Sequence, residues 1–253
     1  MAIDKKMVSD IHVVCYETDV ACALKPAAFL NYAQEIAGAS ADRLGFGQNL
    51  LGPINQAWVL SRMKVDFLEY PHWRDDVRLT SWHRGLDGLF YVRDFELTDQ
   101  SGKTIIMATS SWVILDLAER KIVRSCEGMN EDTVCTETVY RDAADHKDTV
   151  CQRLRPSKSV VLEPCAEHKV CYSDIDKNGH TNNVQYTVWA MDTFPMEFHK
   201  ENHVRTLEIN FNREALPGET VVLCKGQDPD DPKVWWIEGT VEGQQSFILK
   251  LTF

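Results

Sequence analysis

A chain of 253 residues, 44% hydrophobic and 26% charged, is an ordinary globular protein with room for one large domain or two small ones. No run approaches the roughly 20 apolar residues of a membrane span, and the first residues lack the apolar core of a signal peptide, so a cytoplasmic protein is expected. The net charge of −11 argues against nucleic acid, though a local basic cluster could still meet an acidic protein. The eight cysteines include no C-x-x-C pair, which excludes a zinc-ribbon or redox motif and leaves reduced thiols as the expected state.

In chain order, residues 11–20 read as a strand. Pro26 suits a first helical position, and Phe29, Leu30, Ala33, Ile36 and Ala37 recur at helical spacing to about Asp42. Gly45, Gly47, Gly52 and Pro53 mark a loop. Strands are predicted at 57–68, 76–84, 89–98 and 104–115, the last apolar enough to be buried on both faces. Residues 168–175 then read as a strand, 183–194 as a buried helix, and 204–212, 219–226, 233–242 and 245–253 as strands.

The order of elements repeats. A shift of 157 residues lays Asp19 on Asp176, Phe29 on Tyr186 and Tyr32 on Trp189; a shift of 144 lays Val65–Leu79 on Ile209–Leu223, with Phe67 on Phe211. Each copy holds one long helix that must be wrapped by a curled, largely antiparallel sheet of about five strands. That is an α+β double hotdog, two tandem helix-wrapped sheets expected to form a pseudo-dimer. The predicted boundaries are a first domain at 1–127, a polar linker at 128–158 and a second domain at 159–253.

The stretch Asp176-Lys177-Asn178-Gly179-His180-Thr181-Asn182-Asn183 precedes the second helix. Asn182 and Asn183 suit an N-cap, and an extended lead-in would turn Asp176, Asn178 and His180 to one side. A turn with a cap accounts for the same string without chemistry, as a core histidine accounts for His180 and a solvated carboxylate for Glu214. The repeat separates these readings. Asn178 and His180 fall on Ala21 and Ala23, and Glu214 falls on Tyr70, while Asp176 keeps Asp19. A set needed only for folding would be carried by both copies. Such groups suit hydrolysis of an activated ester: a carboxylate as general base, a histidine and an amide to hold the reacting group, a second carboxylate to fix them, and a helix N-terminus for the oxyanion. His180 has no neighbouring His or Cys at ligand spacing, so no metal and no cofactor is expected.

The chain at this point resembles the acyl-acyl carrier protein (acyl-ACP) thioesterases of plants and bacteria. The resemblance rests on D-x-N-x-H-x-N-N at Asp176–Asn183, on Trp58-Val59-Leu60-Ser61-Arg62-Met63, on Tyr70-Pro71-His72-Trp73 and on Ser110-Ser111-Trp112-Val113-Ile114, in that family's order. It implies hydrolysis of fatty acyl-ACP thioesters, terminating chain elongation in fatty acid biosynthesis. It also implies a first half that shapes the acyl pocket and a second that carries catalysis. The family's catalytic residues map onto Asp176, Asn178, His180 and, through a loose match at Leu207-Glu208 to Arg213-Glu214, onto Glu214. Plant members carry a cysteine after that glutamate; Ala215 stands here. Glu214 then activates water or attacks directly. Gly179, Asn182, Trp58 and Met63 are the candidate substrate contacts, and Arg153, Arg155 and Lys158 the candidate docking site for the acidic carrier. An acyl-CoA thioesterase and a non-catalytic acyl-binding module are the alternatives. Chain-length preference and oligomeric state stay open, a homodimer among the options.

Overall fold

The computed structural model describes residues 4–126 and 128–253, which divide into two compact units at Cys151/Gln152. In the first unit the chain runs β1 (Lys6–His12), α1 (Pro26–Leu44), α2 (Gln48–Leu51), β2 (Gln56–Phe67), β3 (Asp76–Asp87), β4 (Phe90–Thr98), β5 (Thr104–Asp116) and β6 (Lys121–Val123). The second runs β7 (Glu163–Lys169), α3 (Asn183–Asp192), α4 (Met196–Glu201), β8 (Thr206–Phe211), β9 (Thr220–Gln227), β10 (Val234–Val241) and β11 (Gln244–Thr252).

Both units build the same antiparallel sheet. The first is ordered β1-β3-β4-β5-β2, with β6 added to β5. The second is ordered β7-β9-β10-β11-β8, the same path by equivalent strands. Each sheet packs on one helix. Phe29 of α1, fully buried, meets Phe67 of β2 edge-on. Tyr186 of α3, the equivalent of Phe29, meets Phe211 of β8 and Phe247 of β11. Each such ring contributes on the order of 1.5–3 kcal/mol by leaving water. Each unit is therefore a hotdog, and the chain is a double hotdog.

The predicted strand over 11–20 is corrected to Lys6–His12, and that over 168–175 to Glu163–Lys169. Both are edge strands with no fully buried residue, the first half-buried to exposed and the second almost wholly exposed, so they lack the buried apolar alternation that marks an inner strand. The residues misread as strand instead form short 3-10 turns, Cys15–Glu17 and Tyr172–Asp174, at equivalent places in the two copies.

Glu127, the expected end of the first domain, lies outside the described residues. The segment expected as a linker, 128–158, contains the division between the units, and its first part packs on the outer face of the first sheet. Trp82 Nε1 donates to the Glu137 carbonyl at 2.7 Å, and the Val139 amide donates to buried Asp94 Oδ2 at 2.8 Å. Arg141 clamps Glu96 with two bonds of 2.9 and 3.0 Å. Polar groups on that face need partners, and a segment without regular structure supplies them.

His83 of β3 is buried, its Nδ1 3.0 Å from the Val92 carbonyl and its ring against Phe46. Burial first, and then the charge of Arg93, push its pKa down to about 3. Unfolded, it takes up a proton below its ordinary 6.5; folded, it does not until about 3. Its contribution to stability is thus complete above pH 6.5 and drains as the pH falls toward 3, by roughly 2 kcal/mol at pH 5. His83→Asn keeps a donor for Val92 but cannot titrate. The stability gap between wild type and this variant, from urea unfolding, should narrow by about that amount between pH 7 and pH 5. A gap independent of pH would contradict this account.

Candidate active site

The two copies share a turn, and comparing them separates scaffold from chemistry. In the second copy Asp176 Oδ1 accepts from the amides of Asn178 at 2.8 Å and His180 at 3.3 Å. The Asp176 amide donates to the His180 carbonyl at 2.8 Å, and an Ile175–Thr181 bridge closes the loop. In the first copy Asp19 Oδ1 accepts from Ala21 and Ala23 at 2.8 and 3.0 Å, the Asp19 amide donates to the Ala23 carbonyl at 2.8 Å, and Thr18 bridges Leu24. Gly179 and Cys22 occupy the same left-handed position, at φ 79° and 62°. The expected extended lead-in is therefore corrected to a tight turn, because one carboxylate collects successive amides.

A second carboxylate in each copy anchors the turn from behind. Asp174 Oδ2 accepts from the Cys171 amide at 2.8 Å and lies 2.9 Å from His168 Nε2, and Trp189 Nε1 donates to Asp174 Oδ1 at 3.3 Å. Glu17 does the same with the Val14 amide and Tyr32, the positional equivalents of Cys171 and Trp189. Burial alone would raise the Asp174 carboxyl, yet the bonds from His168 and Cys171 hold it below its ordinary range. The sequence reading missed Asp174; its signal was the Glu17–Tyr32 and Asp174–Trp189 correspondence at the 157 shift.

Against this shared frame the side chains of Asn178 and His180 stand out as additions. Asn178 Nδ2 donates to Asp176 Oδ2 at 3.2 Å, which holds the amide in place. His180 Nδ1 lies 3.6 Å from Glu214 Oε1, just beyond hydrogen-bond reach and within reach of an ion pair when the ring is protonated. Their side chains are 57% and 38% exposed, so a substrate can reach both. Catalytic contacts in empty sites are commonly this loose.

Glu214 is held by its neighbours. The buried Ala215 amide donates to the Tyr186 hydroxyl at 2.9 Å, and Thr181 Oγ1 donates to the Ala215 carbonyl at 2.6 Å, tying this loop to helix α3 and to the turn. Burial pushes the Tyr186 phenol above its ordinary range, so it remains a neutral acceptor. Arg213 bonds Glu219 at 3.2 Å and Gln244 at 3.1 Å, and its carbonyl accepts from Ser246 Oγ at 2.6 Å. Glu208, the other acidic residue in the loosely matched segment, sits in β8 and pairs with Lys250 at 3.1 Å. The first copy puts Tyr70, stacked on Phe67, where Glu214 stands.

Gly179 and Asn182 do conformational work here. Gly179 takes the left-handed position, and an added Cβ there would meet only open space. Asn182 caps α3, its side chain accepting from Val184 at 3.1 Å and its carbonyl from Gln185 at 2.9 Å. Those bonds engage two N–H groups of the helix end that the sequence reading assigned to an oxyanion, leaving His180 and Asn178 as the evident side-chain donors. In the first unit, half-buried Trp58 donates from Nε1 to the Phe46 carbonyl at 2.9 Å and meets Tyr91 edge-on at 4.9 Å; Met63 of β2 is buried. Arg153, Arg155 and Lys158 are all exposed and lie in the second unit, not beside the turn in sequence. Among the described residues, His168, Cys171 and Asp174 bring metal-capable atoms within 4.8 Å, and none of the four catalytic candidates belongs to that set.

Comparison with known proteins gives a consistent picture. Residues 4–132 match the family model for the acyl-ACP thioesterase N-terminal domain, and residues 161–247 that for the C-terminal domain. An acyl-ACP thioesterase from Bacteroides thetaiotaomicron superposes with a TM-score of 0.85 at 26% identity, covering 98% of each chain. A 12:0-ACP thioesterase from Umbellularia californica, at 18% identity, has the same fold, with a TM-score of 0.79 over 99% of this chain and 97% of that one. The oleoyl-acyl carrier protein thioesterase of Coriandrum sativum is 24% identical over 90% of this chain. The chain spans 64% of that plant protein's length.

Proposed function

Because the chain belongs to the acyl-ACP thioesterase family, we propose that it hydrolyses fatty acyl-ACP thioesters to free fatty acid and carrier protein, in fatty acid biosynthesis. The observation that carries the reading is the asymmetry of the copies. One turn is built twice, and only the second bears Asn178, held by Asp176, and His180, 3.6 Å from the carboxylate of Glu214. A structural need would have furnished both.

In this mechanism His180 and Asn178 hold the thioester end, and Asp176 positions both through the turn. Glu214 removes a proton from the attacking water, or attacks the carbonyl itself to give an anhydride that water then opens. Collapse of the tetrahedral intermediate expels the pantetheine thiolate, which takes up a proton. His180, 3.6 Å from Glu214, is placed to pass that proton on. A cysteine nucleophile after Glu214 has no counterpart, since Ala215 is buried and carries no thiol. Trp58 and Met63 furnish rigid wall to the acyl pocket. Gly179 keeps one side of the turn clear for substrate, and Asn182 fixes the turn to the helix. Arg153, Arg155 and Lys158 meet the acidic carrier.

Purified protein offered palmitoyl-ACP and palmitoyl-CoA, with released thiol counted, tests the reading. Faster turnover of the carrier-bound substrate is expected. Turnover of CoA alone would reassign the carrier, and acyl binding without thiol release would make this a binding module.

A further inference from the structure

The face of the second sheet turned away from α3 holds a cavity of about 350 Å³, lined by Arg153, Leu154, Arg155, Asn210, Asn212 and Gln245 among others. Phe211 points to α3, so its strand neighbours Asn210 and Asn212 point the other way. Asn210 is 4% exposed and uses both ends of its amide on the covering segment: Oδ1 accepts from the Leu154 amide at 2.7 Å, and Nδ2 donates to the Gln152 carbonyl at 3.1 Å. Leu154 is buried against Val234, Trp236 and Ile248. The backbone between the two arginines is thus fixed, and both flank the same opening. Asn212 Nδ2 donates to Gln245 Oε1 at 2.7 Å, and Gln245 Nε2 donates to Glu238 Oε2 at 2.8 Å, so the amide floor is set as well.

No acidic residue lines this cavity, and among the described residues no ion pair or side-chain hydrogen bond engages either guanidinium. In a chain of net charge −11, two exposed arginines lining one cavity that no carboxylate lines make a local positive site suited to an anion. The cavity is of small-ligand size, at the low end of the ordinary range. Guanidinium forks and amides suit the tetrahedral oxygens of a phosphate. Asn212 in the cavity lining stands two residues before Glu214, and its amide and that of Arg213 both donate to the Ser246 carbonyl, at 2.8 and 3.0 Å.

We propose that this cavity binds the phosphodiester of the phosphopantetheine arm that carries the acyl chain, with Arg153 and Arg155 as its ligands. The inference rests on the thioesterase reading and gives the two arginines assigned there to the carrier a specific partner, the phosphate of the arm. Substrates bearing one acyl chain on pantetheine or on 4′-phosphopantetheine differ only in the phosphate and carry no protein. KM for the phosphorylated form should be about 10–100-fold lower, the range for charge-assisted bonds. The double change Arg153→Gln and Arg155→Gln should bring that ratio near one. Isothermal titration with 4′-phosphopantetheine should show binding to wild type and its loss in the variant. A wild-type ratio of one, or equal loss on both substrates, would overturn the proposal. If neither substrate is turned over, the thioesterase reading fails, and the titration still decides whether the cavity takes the phosphate.

Discussion

Glu214→Gln should lower kcat for thioester hydrolysis by about 10²–10⁴-fold, the usual contribution of a general base, and a nucleophilic role would cost at least as much. The substitution keeps the size of the side chain and removes only its charge. The loop should survive it, because Arg213, Ala215 and Ser246 hold the loop. Thermal unfolding within a degree or two of wild type is therefore expected. His180→Ala should lose activity comparably, and the double variant should be little worse than either single one, since groups that act as a unit are not additive. The first copy supplies the control. Tyr70→Phe alters the residue equivalent to Glu214 and should leave kcat within about threefold. Near-full kcat in Glu214→Gln with an unchanged melt would move the catalytic carboxylate elsewhere. Glu208 would then be the candidate, although its pairing with Lys250 already commits it.

The inner strands and the two long helices were legible because burial imposes period. The strand at 104–116 is apolar because both faces are covered, and Pro26 and Asn182 announce helix starts by their backbone chemistry. The edge strands were illegible for the opposite reason. Glu163–Lys169 is almost wholly exposed, so nothing in its pattern answers to a core. The packing of Val139 and Tyr140 was hidden in the same way, since single apolar residues in a polar stretch carry no period. For the candidate site, sequence marked the residue types, and the copy comparison marked which were extra. It could not show that Asp176 closes a turn with its carboxylate, because an extended run and a turn place the same letters in the same order. Nor could it show that the residues flanking Leu154 face one cavity, which depends on Asn210 bonding to a segment more than 50 residues away in sequence.

Asp176→Ala and Asp19→Ala should cost the fold similar amounts and differ in what they do to catalysis. Each carboxylate gathers two amides of its turn, at 2.8 and 3.3 Å in one copy and 2.8 and 3.0 Å in the other. Losing a charged acceptor of this kind costs roughly 1–3 kcal/mol, so both variants should melt several degrees lower. Only the second turn presents reacting groups. Without Asp176, Asn178 loses the partner of its amide and His180 loses the bond that sets its backbone. A displacement of about 1 Å at a reacting group can cost on the order of 10²-fold, which is the expected fall in kcat for Asp176→Ala. Asp19→Ala should leave kcat within about threefold when assayed well below its melt. Asp176→Asn retains one carbonyl oxygen for the turn amides and should recover much of the lost stability. It should also recover part of kcat, which a proton-transferring carboxylate would not allow. If Asp176→Asn were as inactive as Glu214→Gln while fully folded, Asp176 would be taking part in the chemistry directly, and the turn shared with Asp19 would explain only its position.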